Sequence, residues 1–142
     1  DSYRFNLETP PREIARRMVA RMWEVYDETL AARAESLGMS TLDVITLASI
    51  IETEAAVNSE RSRISAVYHN RLRKGMRLEA DPTVRYATGK YNARLLYADL
   101  EVDSPYNTYR TDGLPPGPIC SPGAASIRAA PNTTAVSSPV NV

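Results

Sequence analysis

The sequence predicts an α+β domain dominated by helix, with short strands and proline-rich loops confined to its C-terminal half. Two observations predict it. Up to Gly75 the apolar residues recur at helical spacing, in three runs separated by glycine or by capping residues. From Met76 onward that periodicity fades, and six of the ten prolines fall between Pro105 and Pro131. The 142 residues suit one domain around one core, and a hydrophobic content of 43% is ordinary for a globular chain.

Residues 1–8 read as extended. Thr9-Pro10-Pro11 opens the first helix, with Thr9 as its cap and the prolines in its first turn. Ile14, Met18, Met22, Val25 and Leu30 form its apolar stripe, Trp23 and Tyr26 flank it, and Gly38 ends it. Ser40 caps the second helix, and Asp43 completes a variant of the capping box. Asn58 or Ser59 caps the third, Ile64, Val67, Tyr68, Arg71 and Leu72 share one face of it, and Gly75 closes it. Short extended pieces are expected at Met76–Leu78, Thr83–Tyr86 and Asn107–Tyr109. Gly113-Leu114-Pro115-Pro116-Gly117-Pro118 must be a loop, because no regular element tolerates it. Ser121-Pro122-Gly123 starts a short helix running to about Ala130. Residues 131–142 have little to bury and are expected to fray as a disordered tail.

Composition excludes several chemistries. With 17 basic and 17 acidic residues the net charge is zero, which argues against nucleic acid as the main partner. A local excess runs from Arg61 to Arg77 without an acid. It reads first as a solvated helix face, and second as a basic rim for an anionic polymer. Cys120 is the only cysteine and His69 the only histidine, so neither an intrachain disulfide nor a multi-histidine metal site can form. There is no Walker loop, no dinucleotide-binding glycine motif and no nucleophile elbow. No apolar run approaches the length of a membrane span.

The chemistry resides in carboxylates. Glu52 and Glu54 lie in Leu47-Ala48-Ser49-Ile50-Ile51-Glu52-Thr53-Glu54-Ala55-Ala56-Val57, which is otherwise apolar or small. A carboxyl held in such surroundings is favoured in its protonated form, as a general acid requires. On a helical wheel Glu54 falls beside Leu47, Ile50 and Ile51, and Glu52 falls beside Ala48, Ala55 and Ala56. Glu52 then borders a shallow groove and is the candidate acid. The competing reading makes one glutamate half exposed and pairs the other with an arginine of the third helix. Asp81-Pro82 reads mainly as a turn or cap. Tyr106-Asn107-Thr108-Tyr109 mixes aromatic faces with amide and hydroxyl groups, as sugar binding requires. A strand with inward tyrosines is an equal reading.

Seven segments occur in order: Ala48 to Val57; Ser59-Glu60-Arg61; Asn70-Arg71-Leu72; Gly75-Met76-Arg77-Leu78; Asp81-Pro82-Thr83-Val84; Tyr106-Asn107-Thr108-Tyr109; and Gly113 to Ile119 with Pro122-Gly123. Together they closely resemble the MltG/YceG-like endolytic murein transglycosylases, from about Tyr3 to Ala130. The resemblance implies a lytic-transglycosylase-like catalytic domain over residues 1–130. It implies a cell-envelope enzyme on the outer face of the bacterial cytoplasmic membrane, reaching that membrane only through an anchor outside this chain. Such enzymes cut nascent peptidoglycan strands internally, leave a 1,6-anhydromuramic end and so terminate strand elongation. The implied partners are glycan strands and, as candidates, peptidoglycan synthases. The family's catalytic glutamate is expected on Glu52, and its other polar positions on Glu54, Asn70, Asp81, Asn107 and Tyr109. Tyr106 and Tyr109 are expected to line the glycan groove. Two departures stand out. The family's upstream LysM-like subdomain finds no counterpart within residues 1–142, and where its strand-rich continuation past Ala130 is expected the sequence reads Asn132-Thr133-Thr134-Ala135-Val136-Ser137-Ser138.

One carboxyl suffices for such a reaction. The muramic C6 hydroxyl attacks within its own sugar, so no water need be activated. Neither a metal nor an organic cofactor is required. Two other readings stay open: a lysozyme-like muramidase using Glu52 and Asp81, and a catalytically weak peptidoglycan-binding module.

Overall fold

A computed structural model describes residues 2–134. It contains six α-helices and, among the described residues, no strand. The expected α+β class is therefore corrected to an all-helical one. α1 spans Pro11–Val25, α2 Glu28–Ser36, α3 Thr41–Glu54, α4 Arg61–Arg73, α5 Asp81–Thr88 and α6 Ala124–Ala129. No single helix among the described residues is long and apolar enough to cross a membrane.

α3 is the centre of the molecule. Residues Val44 to Ile51 are all buried, as in a helix surrounded by packing partners on every side. α2, α4, α5 and α6 all contact it. Ser40 and Asp43 form the reciprocal capping box at its start, with Asp43 N–H on Ser40 Oγ at 3.1 Å and Ser40 N–H on Asp43 Oδ2 at 2.9 Å.

The first expected helix is in fact two. α1 stops at Val25, Tyr26 leaves helical geometry, and the Asp27 side chain accepts Leu30 N–H at 3.0 Å to cap α2. Pro10, not Thr9, holds the N-cap position of α1. The bend lets Val25, Tyr26 and Leu30 all enter the core, although the first and last of them lie five positions apart.

The three expected strands fail for different reasons. Thr83–Tyr86 lies inside α5, which Asp81 and Pro82 start at its first two positions. Asn107–Tyr109 is turned by its own asparagine, whose Oδ1 accepts Tyr109 N–H at 3.0 Å. Met76–Leu78 has no ladder partner among the described residues. Its end is held instead by the Arg71 guanidinium on Leu78 C=O at 2.7 Å. The next residue, Glu79, takes a left-handed φ of 50° while its N–H donates to Thr108 C=O at 3.1 Å.

The short helix after Pro122-Gly123 forms as expected. Pro131 is fully buried behind it, and Ser65 Oγ donates to the carbonyls of Ala130 and Asn132. Residues 135–142 of the expected tail lie outside the described residues.

Candidate active site

Two adjoining hollows meet at Glu54. An open cleft of about 730 Å³ is lined by Glu54, Glu60, Arg63, Asp81, Arg85, Tyr86, Tyr91 and Ile119, among others. A groove of about 340 Å³ is lined by Glu54, Arg63, Tyr68, Arg71, Leu78 and Glu79. Glu54, Arg63 and Ile64 line both, so the two form one trough along the face where α3 ends and α4 begins.

Each wall has a local cause. The last turn of α3 delivers Glu54, and Ala55 ends that helix in extended geometry. A 3₁₀ turn, Asn58–Glu60, swings the chain into α4, with Glu60 accepting the N–H groups of Ala56 and Val57. The proline-rich loop is tied to α3 through buried Ser49, whose Oγ accepts Ile119 N–H at 3.0 Å; this sets Ile119 in the cleft. Tyr86 is braced from behind by Tyr106, their ring centroids 4.8 Å apart.

The two glutamates of α3 have opposite surroundings. Burial alone would raise the Glu52 pKa. It is outweighed by a short hydrogen bond from Ser126, by the Arg61 guanidinium at 3.4 Å and by the Gly123 N–H, so the carboxyl titrates below its ordinary value. Arg61 itself is nearly buried and also donates to Ser126 Oγ at 2.9 Å and Asn58 Oδ1 at 2.9 Å. This set joins α3, α4 and α6, and Glu52 lines neither hollow.

Glu54 is open to solvent along the trough but packed by protein on its other sides. That desolvation raises its pKa above the ordinary value, and the negative charge of Asp81 adds to the effect. A hydrogen bond with the Tyr68 hydroxyl and the more distant charge of Arg71 oppose the shift without cancelling it. The Tyr68 phenol is driven far above its usual range by burial and by Glu54, so it remains a donor at any working pH. Tyr109 donates to Asp81 Oδ1 at 2.5 Å, and its own pKa is pushed up to about 12 by desolvation and by that carboxylate.

The expected residues thus separate into two groups. Glu54 and Asp81 line the trough, with Tyr109 attached to Asp81. Tyr106 stands behind Tyr86 and does not line the trough itself. Asn107 is buried away from it, its amide donating to Leu100 and Val102 carbonyls at 2.9 Å each. Asn70 is exposed on α4, where its side chain accepts from Arg73. The basic run from Arg61 to Arg77 does not form one rim. Arg61 serves Glu52, and Arg77 bonds Asp112 and the Tyr109 carbonyl, whereas Arg63 and Arg71 line the trough. Tyr68, Arg63, Tyr86 and Tyr91 went unassigned in the sequence. The hints were slight: Tyr68 fell on the shared face of its helix, and Arg63 fell in the basic run. Among the described residues no group of three or more His, Cys, Asp or Glu side chains could hold a metal.

The trough brings carboxyl, phenol and guanidinium groups together on a helical core, and comparison with known proteins defines the family. The sequence profile of the YceG-like family matches residues 1–137. An endolytic murein transglycosylase of Bacillus subtilis is 44% identical over 130 residues, covering 91% of this chain and 36% of the relative. One from Streptococcus pneumoniae R6 is 36% identical over 125 residues, covering 78% of this chain and 23% of the relative. A crystal structure of a yceG-like protein from Listeria monocytogenes superposes with a TM-score of 0.81 at 42% identity, over 93% of this chain and 43% of that one. The chain belongs to the YceG-like family, and it spans about a third or less of the curated relatives cited here.

Proposed function

We propose that this chain carries the catalytic centre of an endolytic peptidoglycan lytic transglycosylase, and that Glu54 is its acid and base. One observation carries the assignment: of the two glutamates on α3, only Glu54 faces the trough, and only Glu54 is held toward its protonated form.

Protonated Glu54 donates to the glycosidic oxygen leaving the muramic C1. As the bond breaks, positive charge develops at C1 and on the ring oxygen, and Glu54 is left as a carboxylate. The muramic C6 hydroxyl then attacks C1, and Glu54 takes its proton, closing the 1,6-anhydro ring. No water is consumed. The Tyr68 O–H steadies the carboxylate form between these steps. Asp81, held by Tyr109, raises the proton affinity that the first step needs and places negative charge near the developing cation. Tyr86 and Tyr91 offer ring faces against which sugars can stack. The reading places the chain in the cell envelope, with peptidoglycan synthases as candidate partners.

The test is cleavage of purified murein by the wild type and by the Glu52→Gln and Glu54→Gln variants, with products read by mass spectrometry. Anhydro ends that vanish with Glu54→Gln support the proposal. Because Asp81 lines the same trough, a two-carboxylate hydrolase would show reducing ends instead, and that result would overturn it.

A further inference from the structure

The trough contains three arginines, and two are committed. Arg85 Nη1 donates to the carbonyls of Lys90 and Ala93 at 2.9 Å each, and Arg71 Nη1 donates to Leu78 C=O. Arg63 carries no hydrogen bond or ion pair among the described residues, although it lines both hollows.

The sequence explains why no neighbour on its own helix pairs with it. An arginine in the first turn of a helix normally finds an acid three or four residues away. Three residues before Arg63 is Glu60, whose carboxylate is already taken by the N–H groups of Ala56 and Val57. Four residues after it is Val67, which is apolar. Nor does Arg63 neutralise the acid of the site, since the cation acting on Glu54 is Arg71. A fork of guanidinium donors therefore stands at the junction of the trough, beside the proposed acid, with no partner among the described residues.

Resting on the function proposed above, we propose that Arg63 is a specificity residue that binds a carboxylate borne on the lactyl branch of the muramic sugar undergoing cleavage. A planar guanidinium matches a carboxylate through two parallel hydrogen bonds. Two sources supply that group: the lactyl carboxylate of a strand stripped of peptide, or a carboxylate of the peptide stem attached there. An unbranched, uncharged glycan lacks both, so the contact separates murein from chitin-like polymers of the same backbone.

The experiment measures binding to the non-cleaving Glu54→Gln chain, with and without Arg63→Gln, by calorimetry. Four ligands of matched length are titrated: strands with peptide stems, strands stripped of stems, stemmed strands with methyl-esterified carboxyls, and chitin oligosaccharides. Arg63→Gln should weaken binding about tenfold on carboxylate-bearing strands and leave esterified strands and chitin unchanged. Loss on stemmed strands alone assigns the stem carboxylate, and loss on stripped strands assigns the lactyl one. Arg63→Lys, with the charge but not the fork, should recover part of the affinity. Equal loss on esterified strands, or no loss on any strand, overturns the proposal. Melting curves check the fold, which an exposed and unpaired side chain should not disturb. Anhydro products from the wild type with no Arg63 effect would sink this inference alone. A wild type that neither binds nor cleaves murein would sink the function on which it rests.

Discussion

Glu52 and Glu54 are two residues apart on one helix and about 200° apart around it. Glu52 has a guanidinium, a hydroxyl and a backbone N–H, all stabilising its charge. Glu54 has a phenol, a neighbouring carboxylate and a cavity large enough for sugar rings. The first arrangement locks three helices together and leaves no proton to give at neutral pH. The second leaves a carboxyl incompletely satisfied and open to a ligand. On the proposed assignment, what separates a structural acid from a chemical one is the set of partners that reach each carboxyl, since both occupy the same apolar helix.

The sharpest way to break this comparison is to neutralise each acid in turn. Glu54→Gln should lower kcat for anhydro product formation about 10³-fold, the usual loss when a general acid is removed. Glu52→Gln should keep turnover within about tenfold. Stability should move the other way. The folded-state pKa of Glu54 is raised, so its contribution to stability is complete below its unfolded value of 4.5 and is lost as pH rises through the folded value. At neutral pH the Glu54→Gln chain should be as stable as the wild type or more so. The folded-state pKa of Glu52 is lowered, so its contribution is present above 4.5 and lost as pH falls through the folded value. Glu52→Gln should therefore melt below the wild type at pH 7, with the gap closing in acid. A dead Glu52→Gln beside an active Glu54→Gln would reverse the assignment.

Removing the partner of the structural acid comes next. Arg61→Ala strips donors from Glu52, Ser126 and Asn58 at once. It should cost about 1–2 kcal/mol in denaturant unfolding, as expected when partly buried polar groups lose their partners. A loss indistinguishable from that of an exposed arginine such as Arg16 would show that the cluster is ornamental.

The sequence displayed what is local and hid what is distant. The capping box at Ser40 and Asp43 and the stop at Gly75 are written within a few residues of each other. So, in retrospect, is the break at Asp27: the step from Val25 to Leu30 is too long for one helical stripe, and Asp27 is a good cap. Thr83–Tyr86 read as strand because threonine, valine and tyrosine favour sheets, but Asp81-Pro82 ahead of them starts a helix, and packing decided the matter. The candidate site was legible as a pair of glutamates and no further. Choosing between them requires Ser126, which is 74 residues from Glu52 in sequence, and Tyr68, whose role as a donor only the folded chain displays.

Smaller effects should tune the chemical acid without abolishing it. If Glu54 is the acid, as proposed, the rate depends on its protonated form, and kcat/KM should fall as pH rises through the pKa of that group. Asp81→Asn removes a neighbouring negative charge and should move this alkaline limb to lower pH, with anhydro ends retained. Tyr68→Phe removes a donor that favours the carboxylate and should move the limb to higher pH. If both variants shifted it the same way, the opposed roles of these two neighbours would be wrong.

The smallest effect tests how the far wall of the trough is held. A methyl group at Gly117 would meet the Tyr106 hydroxyl at 3.3 Å, closer than a relaxed contact. Gly117 has no left-handed φ, so its replacement by alanine is a question of space alone. Tyr106 is packed against Tyr86, so its displacement presses on Tyr86, which lines the cleft. Gly117→Ala should therefore cost at most about 1 kcal/mol of stability. Its functional cost should appear in KM, with kcat preserved, because the proposal gives the displaced ring a part in sugar stacking and none in proton transfer. Tyr106→Phe in the same chain removes the clashing oxygen and should restore KM. A Gly117→Ala chain that lost kcat instead, and was not rescued by Tyr106→Phe, would mean that the proline-rich loop positions the acid through Ile119 and Ser49, and that the two walls of the trough are not independent.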